Sequence, residues 1–147
     1  MSGIHLLPLD TLIVDADPNF VLVLTRFLEE QEHLAVIGAA HSCEEATTKA
    51  KGLNPELIII SESLAEQELC HSTVEWMKHQ PGSPCVIVLS DEPHRYTDAL
   101  SIADAWIEKS KFRSDLLPTI HDLCAKPNRC GCAGYLFHEE LASLSAK

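Results

Sequence analysis

Basic residues are scarce in this chain of 147: 11 lysines and arginines stand against 22 aspartates and glutamates, for a formal net charge of -11. A duplex-binding module needs a basic face to neutralise phosphates. The charge balance therefore argues against nucleic acid and leaves proteins, small molecules or cations as partners. No apolar stretch reaches the length of a membrane helix, so no membrane association is expected. The opening MSGIHLLPLD lacks a basic region, and Asp10 interrupts its apolar residues, which argues against a secretory signal. Dense cysteine framing is missing too. Six cysteines are spread through apparent strands and helices, and reduced thiols in a cytoplasmic protein are expected.

What is present suits a soluble globule. Hydrophobic residues make up 46% and charged residues 22%, and the length allows one domain with a full core plus a tail. Residues 1–126 are expected to form the domain and 127–147 a C-terminal extension.

Strand and helix patterns alternate along the chain. TLIVDA (11–16) is a short apolar, β-branched run and reads as a buried strand. Asp17 then fits a helix N-cap with Pro18 at the first helical position, and Phe20, Val23, Leu24, Phe27 and Leu28 follow at helical spacing. LAVIGAA (34–40) is a second strand. Ser42 and Glu45 make a capping box for a helix that Gly52 is expected to stop. ELIII is the third strand, and Ser63 with Glu66 suggests another capping box opening a helix towards His79. CVIVL (85–89) is the fourth strand, with a short helix expected around 93–102, and DAWI (104–107) the fifth. A last helix is expected from Ser114 to Leu123, with Pro118 tolerated near its first turn.

This alternation predicts an α/β fold: a flavodoxin-like, doubly wound, five-stranded parallel sheet with helices on both faces. Ligands in such sheets gather outside the carboxyl ends of the strands. The positions to read are therefore Asp15 to Asp17, Ser61, Ser90 and Lys109.

Over residues 11–124 the chain resembles the response-regulator receiver domain of two-component signalling. LIVDADP, NPELIII, VIVLS and ADAWIEKS carry the resemblance through their order and spacing. It implies a magnesium-binding acidic pair after strand one and a phosphoacceptor aspartate ending strand three. It also implies a hydroxyl after strand four and a lysine after strand five, both binding phosphoryl oxygens. Asp15 matches the first acid, Ser90 the hydroxyl, Lys109 the lysine and Trp106 the switch aromatic.

The departures fall on the essential positions. Ala16 stands where the second acid belongs, Ser61 where the phosphoacceptor belongs, and Ser110 replaces the usual proline. SESLAEQEL lacks the family's Met-Pro and glycine, and the stretch between Ser90 and Lys109 is short. A serine hydroxyl is a weak nucleophile without an activating base. Magnesium prefers hard oxygen ligands, often one or two carboxylates with phosphate and water. Magnesium binding is therefore expected to be weak or lost, and aspartate phosphorylation absent.

The expected function is a non-catalytic, pseudo-receiver signalling domain acting through protein contacts. The face formed by the 93–102 helix, strand five and the last helix would serve a signalling partner or a second copy. No DNA-binding helix pair is expected within these residues. Two alternatives stand beside it. One is a phosphorelay receiver phosphorylated on a displaced acid such as Asp17 or Glu62. Against it, Asp17 reads better as a helix cap, and Glu62 and Glu68 as solvated loop acids.

The other alternative is a metal or redox sensor in the tail, where Cys124, Cys130 and Cys132 could join His121 or His138 around zinc or an iron–sulfur cluster. Paired Cys-x-x-Cys knuckles are missing, so no metal is the preferred reading. Cys43, Cys70 and Cys85 read as small core residues. Leu136, Phe137, Leu141 and Leu144 would form one face of a short terminal helix.

Overall fold

The run Leu57–Ser61 is buried along its whole length, and its alternate side chains feed two different cores. That is the behaviour of a central strand in a sheet covered on both faces. In the computed structural model, which describes residues 8–91 and 103–124, five parallel strands lie in the order β2-β1-β3-β4-β5. They are β1 (Leu9–Val14), β2 (Leu34–Ala40), β3 (Leu57–Ser61), β4 (Cys85–Ser90) and β5 (Ala105–Glu108). The helices are α1 (Pro18–Glu29), α2 (Cys43–Leu53), the four-residue α3 (Glu62–Ala65), α4 (Glu68–Lys78) and α5 (Phe112–Cys124). The expected doubly wound sheet is what forms.

Leu57 and Ile59 point to the face covered by α1 and α5, where Leu24, Leu28, Leu116 and Ile120 meet them. Ile58 and Ile60 point to the other face, against Ala46 and Ala50 of α2 and Val74 and Met77 of α4. Each fully buried aliphatic side chain contributes about 1.5–3 kcal/mol relative to exposure. From β1 the chain moves outward to β2, then crosses back to β3 on the other side. The carboxyl ends of β1 and β3 thus flank the switch point of the sheet, where such folds place their ligands.

Several local expectations shift. β1 begins at Leu9, because the Leu9 N–H already pairs with the His33 carbonyl. Asp17 caps α1 as expected, accepting from the Asn19 N–H at 2.9 Å with Pro18 following. Gly52 does not stop α2; Asn54 does, in a left-handed conformation with φ of 50°. Ser63 and Glu66 do not open one long helix. Instead Ser61 precedes α3, and the chain restarts at Gln67 for α4.

α5 starts two residues before Ser114, after a 3-10 turn over Lys109–Lys111, which leaves Pro118 inside the helix rather than near its start. The helix expected around 93–102 and the tail after residue 124 lie outside the described residues.

The thiol expectation is corrected. Cys43 and Cys70 are buried as foreseen, but they are joined by a disulfide with 5.2 Å between Cα atoms, tying α2 to α4. Cys85, fully buried at the start of β4, is also disulfide-bonded. Sequence spacing concealed this, because a separation of 27 positions carries no pairing signal. No described helix is long and apolar enough to cross a membrane.

Candidate functional site

At the end of β1 the Asp15 N–H bonds the Ala40 carbonyl at 2.9 Å, and the chain then turns sharply into α1. Asp15 shapes that turn. Its Oδ1 accepts the Asp17 N–H at 2.8 Å, while Asp17 caps the helix two residues on. The other oxygen, Oδ2, is buried and takes no hydrogen bond of good angle; it faces the Lys109 ammonium at 2.7 Å as an ion pair. Ala16 and Asp17 are exposed, and the Asp17 side chain is engaged with its own helix.

Lys109 is held from a second side. Its ammonium lies 4.3 Å from the centroid of the Phe20 ring, a cation–π contact. Phe20 in turn packs edge-on against Phe112 at 5.4 Å, and Phe27 does the same at 5.3 Å. The lysine after β5 is thereby tied to the first turn of α1.

Ser61 ends β3 buried at 5% exposure, its hydroxyl 3.5 Å from that of Ser63, the outer limit of a hydrogen bond. The register of β3 against β4 pairs Ser61 with Leu89, so the following residues, Glu62 and Ser90, come side by side. Glu62 is buried at 5%, not solvated, and its Oε1 accepts the Ser90 hydroxyl at 2.6 Å. This corrects the reading of Glu62 as a loop acid; Glu68 is exposed as expected. The missed signal was the strand ends. A residue that leaves a central strand beside the buried end of its neighbour has little access to water.

Asp15, Ser61, Glu62, Ser90 and Lys109 therefore gather at the carboxyl end of the sheet. Trp106 lies on β5, partly buried against the core shared with α2 and α4. Cys130, Cys132 and His138 lie outside the described residues, and Cys124 is the last residue of α5. Among the described residues no group of three or more histidines, cysteines or acids is arranged to hold a metal. His121 meets His33 instead.

The carboxylates that magnesium would need are already engaged within the structure. An octahedral site of oxygen donors needs carboxylates free to turn towards the ion. Here Asp15 is bound to the Asp17 N–H and to Lys109, Asp17 to the Asn19 N–H, and Glu62 to Ser90. Ala16 offers a methyl group and Ser61 a neutral hydroxyl.

No family model matches this sequence. The response regulator protein VraR of Staphylococcus epidermidis is 27% identical over 111 residues, which cover 74% of this chain and 53% of that protein. The chain thus spans about half the length of the curated relatives it matches. A chain in the crystal structure of the CheA3 P1 domain in complex with CheY6 from R. sphaeroides superposes with a TM-score of 0.70 at 20% identity. That match covers 82% of this chain and 99% of that one.

A chain in the structure of two RcsB dimers bound to two parallel DNAs superposes with a TM-score of 0.65 at 17% identity, covering 79% of this chain and 63% of that one. That likeness is one of fold, and the DNA belongs to that structure. Sheet order, pocket position and these likenesses converge: the chain has the flavodoxin-like fold of receiver domains and is similar in sequence to a response-regulator protein.

Proposed function

We propose that this receiver domain signals through protein contacts without phosphorylation of an aspartate. The single observation carrying the reading is that both phosphate-binding equivalents already hold internal acids. Lys109 is paired with Asp15 at 2.7 Å, and Ser90 with Glu62 at 2.6 Å. A phosphoryl group entering the pocket has to displace one or both. Ser61 supports the same conclusion, since an uncharged hydroxyl stands where the acceptor carboxylate is needed.

The domain acts in this reading as a non-enzymatic component that binds another signalling protein or a second copy. The face including β5 and α5 is the proposed contact surface. The CheY6 structure with the CheA3 P1 domain supports a protein partner as the natural ligand of such a fold.

One observation gives the displaced-acid alternative a specific form. Glu62, next to Ser61 and bonded to Ser90, is the acid best placed to accept a phosphoryl group. Incubation with acetyl phosphate and magnesium, followed by intact-mass measurement, separates the two readings. The proposal predicts no added phosphoryl group. A labile phosphoryl adduct that disappears in Glu62→Gln establishes the alternative.

A further inference from the structure

At the other end of the sheet, two histidines from distant parts of the chain face each other. His33 lies in the turn between α1 and β2, and its carbonyl accepts the Leu9 N–H that begins β1. His121 lies in the last turn of α5. They are 88 positions apart, yet their Nε2 atoms are 3.4 Å apart, with ring centroids 5.5 Å apart and planes tilted by 42°. Both side chains are partly exposed. We propose that His33 and His121 form a binding site for a borderline transition-metal ion, zinc above all, with exchangeable water completing its coordination.

The argument is geometric first. Imidazole nitrogens bind tetrahedral zinc at about 2.0–2.1 Å, which places two nitrogens of one ion about 3.3–3.4 Å apart. The observed separation is that tetrahedral edge. As a direct ring-to-ring hydrogen bond the contact is long, and it needs one ring protonated at Nε2 and the other not. Metal ligation uses both imidazoles in their neutral form, so neither ring needs to donate to the other.

The ring positions are fixed by packed backbone on both sides. Leu34 follows His33 into the core, and Ile120 and Leu123 flank His121 in that same core cluster. Ligands borne on such elements need little rearrangement to meet an ion. Imidazole favours zinc, nickel and copper over magnesium and calcium, which sets the chemical class. A bound ion joins the α1–β2 turn to α5 and, by binding only the folded chain, raises its stability.

The test uses the full chain, treated with chelator and then titrated with zinc chloride by calorimetry, alongside thermal unfolding with and without zinc. His33→Gln, His121→Gln and the pair Cys130→Ser/Cys132→Ser are compared with the wild type. The expected result is binding with a zinc-dependent rise in Tm. Either histidine change should weaken that binding roughly tenfold or more and abolish the rise. The cysteine variant should keep both, and magnesium should produce neither. The zinc-free scans separate a folding defect from loss of the ion, and NMR of the wild type should show zinc moving the His33 and His121 ring signals. Absent zinc binding, binding and Tm rise unchanged in both histidine variants, or ring signals that stay still overturns the proposal.

Discussion

Ser90 donates its hydroxyl hydrogen to Glu62 Oε1 across 2.6 Å, and neither residue is more than 5% exposed. A buried acceptor that loses its donor bears the cost of desolvation without the compensating bond, about 1–3 kcal/mol. Ser90→Ala is therefore expected to lower the unfolding free energy by that amount in urea titration. Ser72→Ala, on the exposed face of α4, should change it by no more than about 0.5 kcal/mol.

The Asp15–Lys109 pair is more enclosed than a surface bridge, with side chains 6% and 18% exposed. Removing the ammonium by Lys109→Met leaves Asp15 Oδ2 buried without its counter-charge. The expected loss lies between surface and fully buried pairs, about 1–3 kcal/mol. Adding Asp15→Asn should recover part of it. A double-mutant cycle by chemical denaturation reads that coupling directly.

Cys43 and Cys70 close a loop across 27 positions. The chain-entropy treatment of a loop this size gives about 3–4 kcal/mol of stabilisation. Cys43→Ser/Cys70→Ser should unfold at correspondingly lower urea concentration. Wild type in excess dithiothreitol should approach the same midpoint, and a midpoint unmoved by reductant or substitution contradicts the link.

Glu45 gives the clearest acid response. The His41 N–H donates to its carboxylate at 2.8 Å, and Lys49 lies at 3.2 Å; together they hold its pKa below the ordinary glutamate value. A carboxyl depressed in the folded state contributes stability above its unfolded pKa, and that contribution fades as pH falls through the folded one. The expected loss therefore lies on the acid side of about pH 4.3. A carbon-detected NMR titration should place the Glu45 midpoint below that value.

Much of this was legible in the residues themselves. The apolar runs at 57–60 and 85–89 have no polar alternation, so they announced central strands, and Asp17-Pro18 announced the start of α1. The positions of Asp15, Ser61, Ser90 and Lys109 followed from where those strands end. Glu62 was not legible, because its burial depends on the relative register of two strands that are distant in sequence. The Cys43–Cys70 bond and the His33–His121 contact were hidden for the same reason: each joins elements brought together only by the crossover connections of the sheet. Pro118 was misplaced because the 3-10 turn after Lys109 lets α5 begin early.

The central claim is that the pocket's lysine and serine are satisfied from within. It is tested most directly by following the backbone amides of Ser61, Ser90 and Lys109 by NMR while magnesium and beryllofluoride, a phosphoryl stand-in, are added together. The account predicts that these signals stay in place up to millimolar concentrations. Saturable movement of all three, abolished when magnesium is withheld, contradicts it.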